Sequence, residues 1–157
     1  MVNHYTTFRK KRSTDAYSPG GRSGLRPDRA VTVYSNRIRE AYKNVPIIIG
    51  GIEASLRRLS HYDYWSDSVR RSVLLDSGAD LLVYGMGEKS MIEIAEALES
   101  GIPVSEITFI NGTVYKTKDK ERPYNPIFLP EYKNVVSSKE KYGESFKIQY
   151  ENTDSIT

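Results

Sequence analysis

PIIIGGIEASLRRLSHYDYWSDSVRRSVLLDSGADLLVYGMGE, residues 46–88, holds two short apolar runs that each end on glycine. Ile47-Ile48-Ile49 stops at Gly50-Gly51, and Leu81-Leu82-Val83, between Asp80 and Tyr84, stops at Gly85-Met86-Gly87. Apolar runs of this length, bounded by glycine and separated by helical stretches, predict parallel β units joined by crossover helices. In an open parallel sheet the ligand crevice lies outside the carboxyl ends of the strands, and both glycine turns fall on that edge. The candidate crevice or interface residues are therefore Gly50, Gly51, Glu53, Arg57, Arg58, His61, Tyr62, Asp63, Trp65, Gly85, Gly87 and Glu88.

Outward from this segment, the N-terminal side divides into an arm and a helix. Residues 1–28, with RKKR at 9–12 and SPGGRSGLRPD at 18–28, are poor in apolar residues, show no period and read as a long basic arm or loop. Asp28 is placed to cap a helix whose Val31, Tyr34, Ile38 and Ala41 or Tyr42 recur at helical spacing, up to Asn44 and Pro46. Within the segment, residues 52–65 read as a helical turn or two followed by an aromatic loop. Ser66 and Asp67 then cap a helix buried through Val69, Val73 and Leu74, with Gly78 at its C′ position.

On the C-terminal side, residues 88–100 form an amphipathic helix with Met91, Ile94, Ala95 and Leu98 on one face and Gly101 then Pro103 as its stop. ITFINGTVYKT at 107–117 suits either a hairpin about Asn111-Gly112 or one interrupted strand; the favoured reading is a strand over 112–116. A charged KDKERP turn and an extended YNPIFLPEY stretch lead to a last helix. Ser137 and Glu140 make its capping box, and Tyr142, Phe146 and Tyr150 recur at i, i+4, i+8. The expected organisation is thus an arm (1–28), an α/β core (29–117) and an extended segment with a terminal helix (118–157).

At 157 residues and 38% hydrophobic content the chain has material for one modest core. No apolar run reaches membrane-spanning length and the basic start lacks a signal-peptide core, so the cytoplasm is the expected location and no membrane partner is expected. There is no cysteine, which excludes disulfides, thiolate metal sites and iron–sulfur ligation by these residues. Only His4 and His61 are histidines, too few and too far apart for a histidine-rich metal centre, and no metal ligand is assigned. Net charge is +3, unevenly spread: residues 1–43 carry ten Lys/Arg and three Asp/Glu, hence +7, and residues 44–157 carry thirteen and seventeen, hence −4. A basic arm can meet nucleic acid, an acidic neighbour or water alone.

The charged and aromatic residues admit bland readings beside sharp ones. Gly85-Met86-Gly87-Glu88-Lys89-Ser90 stands where a dinucleotide fingerprint would, but Ser replaces its last small residue and no Gly-Lys-Ser/Thr tail is present. Glu88 itself meets the helix dipole there and competes with a phosphate, so a plain strand-to-helix turn is the simpler reading. Glu53 and Arg57 at i, i+4 would be a solvated pair of small worth. Yet Arg57, Arg58, Arg70 and Arg71 bracket His61, Asp63 and Asp67, a mixture that suits an interface or polar crevice. No nucleophile in a strand-to-helix elbow accompanies His61 and Asp63, and no catalytic residue is assigned. Tyr62, Tyr64 and Trp65 suit either base stacking or packing of a core.

The segment with HYDYW and YGMGE closely resembles the hallmark stretch of YgiQ-type radical SAM proteins. DAYSPGGRSGLRPDRA at 15–30 and VYSNRIREAY at 33–42 are similar to the stretch on its N-terminal side in that family. LPEYKNVVSSKEKYGESFKIQYENTD at 129–154 resembles the family's LPSFEEV stretch and downstream helix. The resemblance covers nearly the whole chain. It implies an incomplete Rossmann-like, cobalamin-binding-like three-layer α/β sandwich with a mostly parallel sheet. Its strand ends Gly50-Gly51 and Gly85 to Glu88 correspond to GGP-type and GEGE-type turns of related domains.

The resemblance also implies a parent protein with a [4Fe-4S] cluster and S-adenosylmethionine on a barrel, bound by a CxxxCxxC loop. This chain has no cysteine to make that loop and no DxHxxG motif to ligate cobalamin, so neither cofactor is expected on these residues. Family members run on at both ends, which makes the chain an expected N-terminal fragment. The barrel is its expected partner, and its own role is to scaffold or cover that barrel rather than to catalyse. The alternative is a nucleic-acid or ribonucleoprotein binding module that uses the basic arm and the HYDYW aromatics. A self-sufficient hydrolase or transferase lacks a nucleophile, base and orienting group.

Overall fold

The computed structural model describes residues 2–118 and 125–152. In chain order the main elements are α1 (Ala30–Ala41), β1 (Ile48–Ile49), α2 (Gly51–Leu56), β2 (His61–Asp63), β3 (Ser68–Arg70), α3 (Val73–Ser77), β4 (Leu81–Val83), α4 (Glu88–Glu99), β5 (Thr113–Tyr115), α5 (Tyr132–Ser137) and α6 (Lys139–Glu151). They fall into two units, Met1–Leu59 with Ser72–Lys116, and Ser60–Arg71 with Thr117–Thr157.

In the first unit the two glycine-ended runs are neighbouring parallel strands, Ile48 beside Leu81 and Ile49 beside Leu82. The third strand, β5, lies antiparallel to β4, with Leu82 opposite Val114, so the order is β1-β4-β5 and the sheet is mixed. This corrects the expectation of a mostly parallel sheet: the chain turns back at Asn111-Gly112 instead of crossing over, and a three-residue strand carries no sign of its direction. β4 is central and buried on both sides. Its alternation splits the core in two. Leu82 joins Ile49, Ala54, Val73, Leu74 and Ala79, while Leu81 and Val83 join Ile94, Ala97, Ile107 and Ile110. A wholly buried leucine of this kind contributes about 1.5–3 kcal/mol, which makes β4 the chief apolar contributor of the sheet.

Arg39 fastens α1 to the strand beyond it. Its guanidinium donates to the carbonyls of Lys43 (3.0 Å) and Val45 (2.9 Å) and to Asp80 Oδ2 (2.5 Å), whose carboxylate also accepts from Ile47 N (2.8 Å). The helix is not capped by Asp28: Arg29 holds the N-cap position without a side-chain bond, and the Asp28 carboxylate instead accepts from His4 N. Nor does α1 bury the stripe its spacing predicts. Ser35 and part of Val31 face the core, and Tyr34, Ile38 and Tyr42 are exposed. Helix α4 is likewise rotated from expectation. It buries Ser90, Ile94 and Ala97, while Met91 and Ala95 are exposed, because Ser90 Oγ turns inward to donate to Asn111 O (2.8 Å).

The arm holds one short 3-10 turn, Pro19–Gly21, and it is tied down. Isolated bridges join Tyr5 to Lys11 and Thr14 to Arg22, and Asp15, only 6% exposed, receives a two-pronged bond from Arg26 (2.7 and 2.9 Å). That bond, helped by Tyr17 N and Ser18 Oγ, holds the Asp15 carboxyl well below the usual carboxylate range against the opposing effect of burial.

In the second unit residues 61–70 form an antiparallel hairpin, His61 opposite Arg70 and Asp63 opposite Ser68. The helix expected from a Ser66-Asp67 cap does not start there. Asp67 adopts φ 50 at the hairpin turn, and the real cap is Ser72, whose side chain accepts from Leu74 N at the head of α3 in the first unit. Gly78 ends that helix in the left-handed conformation, as predicted. Helix α5 packs on β3 and α6. The cap of α6 is Ser138, one residue beyond the prediction, because Ser137 still belongs to α5. Ser138 Oγ accepts from Lys141 N (3.2 Å) and donates to Glu140 (2.6 Å). Phe146 and Tyr150 are exposed and stack at 6.3 Å, while Ser145 faces inward. Most of the predicted KDKERP turn, from 119 on, lies outside the described residues. Among the described residues no helix is long and apolar enough to cross a membrane.

Candidate functional site

The sequence-selected residues separate between the two units. Gly50, Gly51, Glu53, Arg57, Arg58, Gly85, Gly87 and Glu88 lie on α2 and just past its end, on the loops leaving β1 and β4 and at the head of α4 in the first; His61, Tyr62, Asp63 and Trp65 lie on the hairpin of the second.

At the strand ends, Gly51 (φ 80) and Gly85 (φ 69) occupy the left-handed region, where a side chain is strained. Gly87 is needed for a different reason: a Cβ there would stand 2.6 Å from Val83 Cγ1. The two loops are joined through Ser55, which sequence reasoning missed. Its hydroxyl donates to Gly51 O (2.9 Å) and accepts from Gly85 N (3.1 Å). A serine one turn into a short helix has no sequence signal that marks it as a bridge to a strand thirty residues on. Arg58 donates to Ser55 O (2.6 Å) and lies over the Tyr84 ring, 5.0 Å from its centre, a cation–π contact that steadies the same edge.

Glu53 and Arg57 approach to 3.6 Å with side chains only 13% and 14% exposed, so they are not the solvated pair that their spacing suggested. A pair this withdrawn from water costs several kcal/mol to break by removing one partner. The Arg57 carbonyl also accepts from Val73 N (2.9 Å), which anchors α3 to the end of α2. Glu88 opens α4, exposed, with its carboxylate at the positive end of the helix. Around this rigid polar frame the apolar tips point outward: Ile52 is 71% exposed and Met86 92%, with Leu56 also exposed.

On the hairpin, Asp63 is buried and accepts from Ser66 N (3.3 Å) and Ser66 Oγ (2.5 Å), a turn-forming role. Tyr62 donates to Asp67 (2.5 Å) across the same turn, and Trp65 is half-buried within it. Tyr62, Val69, Val135, Val136, Lys139 and Tyr142 line an open, mainly apolar cavity of about 520 Å³ within this unit.

The donor set does not fit the implied [4Fe-4S] cluster. Thiolates are absent from the sequence, and among the described residues no three His, Asp or Glu side chains converge as metal ligands.

The family model described as radical SAM N-terminal matches residues 1–157, the whole chain. A UPF0313 protein of Clostridium botulinum (strain ATCC 19397 / Type A) is 56% identical over 156 residues, covering 99% of this chain and 24% of the relative. A UPF0313 protein of Clostridium perfringens (strain SM101 / Type A) is 55% identical over 157 residues with the same coverage. The chain thus spans about a quarter of the length of the curated relatives it matches. No solved structure matches it significantly. A match along the full chain together with relatives at this identity establishes that the chain belongs to the radical SAM N-terminal family, in its UPF0313 or YgiQ-type group.

Proposed function

We propose that this region is the N-terminal part of a YgiQ-type radical SAM enzyme and that it covers the catalytic barrel with its strand-end loops, doing no chemistry itself. The observation that carries the reading is the strand-end edge of the first unit, where Ile52, Leu56 and Met86 stand exposed on loops that Ser55, Arg58 and the glycines hold rigid. Apolar tips on a fixed frame suit a surface that docks rather than one that is solvated. A parallel β1–β4 pair with helices on both faces supports a Rossmann-like, cobalamin-binding-like sandwich. In that architecture ligands and partners meet the carboxyl ends of the strands.

The [4Fe-4S] cluster and S-adenosylmethionine belong, on this reading, to the barrel of the longer protein, which supplies the thiolates and the radical chemistry. No step is assigned to residues of this chain, because none of them can hold the cluster. The test is the change of both Ile52 and Met86 to Asp at the matching positions of a full-length relative such as the C. botulinum protein. Cluster content, read by absorbance, should be kept while cleavage of S-adenosylmethionine falls at least tenfold. Unchanged cleavage would refute a role for this edge.

A further inference from the structure

We infer that residues 4–12 form a preformed basic finger that takes single-stranded nucleic acid, with Phe8 stacking on a base and the cations beside it neutralising phosphates. The finger is a small hairpin. Tyr5 and Lys11 bridge antiparallel, Arg9 N donates to Thr6 O (2.9 Å) and Thr6 N donates to Lys10 O (2.8 Å) around the turn. Its root is fixed: Arg12 N donates to His4 O (2.6 Å), Arg12 Nε to Tyr5 O (3.0 Å), and His4 N to Asp28 Oδ1 (3.1 Å). Such pre-organisation lowers the ordering cost of binding.

Two independent features name the partner. First, the positive charge of the N-terminal region is concentrated here. Arg26, Arg37 and Arg39 meet Asp15, Glu40 and Asp80, and Arg9, Lys10, Lys11 and Arg12 stand consecutively on the exposed finger. Lys10 and Lys11 meet no carboxylate among the described residues. Second, Phe8 at the tip is 84% exposed, a large ring with no packing partner in the turn. A ring flanked by four cations is the minimal arrangement for sequence-tolerant binding of a single strand, whose unpaired bases offer a face to stack on. A duplex hides those faces, and a membrane surface calls for an apolar stripe where this finger has one ring.

The test is fluorescence anisotropy of the intact chain with a labelled single-stranded oligonucleotide, as RNA and as DNA, across salt. Four neutralised phosphates predict a log–log salt slope of about −2.8, which weakens binding about fiftyfold between 50 and 200 mM salt. Lys10→Ala with Lys11→Ala should reduce that slope by about 1.4. Phe8→Ala should weaken binding about tenfold at unchanged slope. Lys89→Ala with Lys147→Ala, which removes the same charge from α4 and α6, should leave both nearly as they were. Stronger binding by RNA or by DNA identifies which single strand is taken. The inference is overturned if the two double variants behave alike, if Phe8→Ala changes nothing, or if the chain binds phosphatidylserine vesicles and no oligonucleotide.

Discussion

Gly87→Ala is the sharpest probe of the strand-end frame. At φ −89 and ψ 5 the backbone of Gly87 is open to alanine, so beyond the weaker N-cap that alanine makes for α4 the cost comes from contact. The new methyl would stand 2.6 Å from Val83 Cγ1 and 3.7 Å from its Cβ, where carbons prefer about 3.5–4.0 Å. Val83 cannot yield freely, because it is buried in β4 against the cluster that includes Ile94 and Ile107. Overpacking of this kind costs about 1–3 kcal/mol, a sizeable part of the total for a small domain. In urea, with a slope of about 1–3 kcal/mol per molar, the unfolding midpoint should fall by about 1 M. Gly50→Ala is the control: its nearest atom is Val83 O at 3.5 Å and its φ of −154 is extended, so stability should change by less than about 0.5 kcal/mol. Val83→Ala removes the methyl that clashes. Combined with Gly87→Ala, it should destabilise by at least about 1 kcal/mol less than the two changes summed. A neutral Gly87→Ala, or strict additivity with Val83→Ala, would refute the close approach.

Two side chains outside that edge give further expected outcomes. Arg39→Ala should cost about 2 kcal/mol, since it leaves Asp80 and two carbonyls without their charged donor, and Arg39→Lys should recover only part, because an ammonium cannot reach all three; thermal melts check both. Asp15 has a depressed carboxyl, so its contribution is fully present above the ordinary carboxylate range near about 4 and fades as pH falls towards its folded value. Asp15→Asn should therefore lower Tm at pH 6, and the gap from wild type should narrow steadily as pH falls from about 4 to about 2; a constant gap would show that ionisation is not the cause.

The parallel pair was legible because two apolar runs of strand length each ended on glycine, and α4 because its period and its Gly101-Pro103 stop agreed. The hairpin was not. Ser66 and Asp67 serve helix caps and turns alike, and Asp67 at φ 50 with its Tyr62 bond settled on the turn. The stripe Tyr34, Ile38, Tyr42 has the period of a buried face, but period cannot say whether anything within the chain covers it, and here these residues are exposed. Of the candidate edge, the glycines were readable as punctuation. Ser55, and the Asp15–Arg26 bond that organises the arm, were not, because both depend on contacts between segments with no shared period.

Hydrogen exchange tests the central claim most directly, by comparing this chain alone with the same region inside a full-length relative. If the strand-end loops seat against the catalytic barrel, amides over 50–56 and 84–87 should exchange at least tenfold more slowly in the longer protein, while those of α6 change less. Equal exchange over 50–56 and 84–87 in the two contexts would contradict the proposed cover.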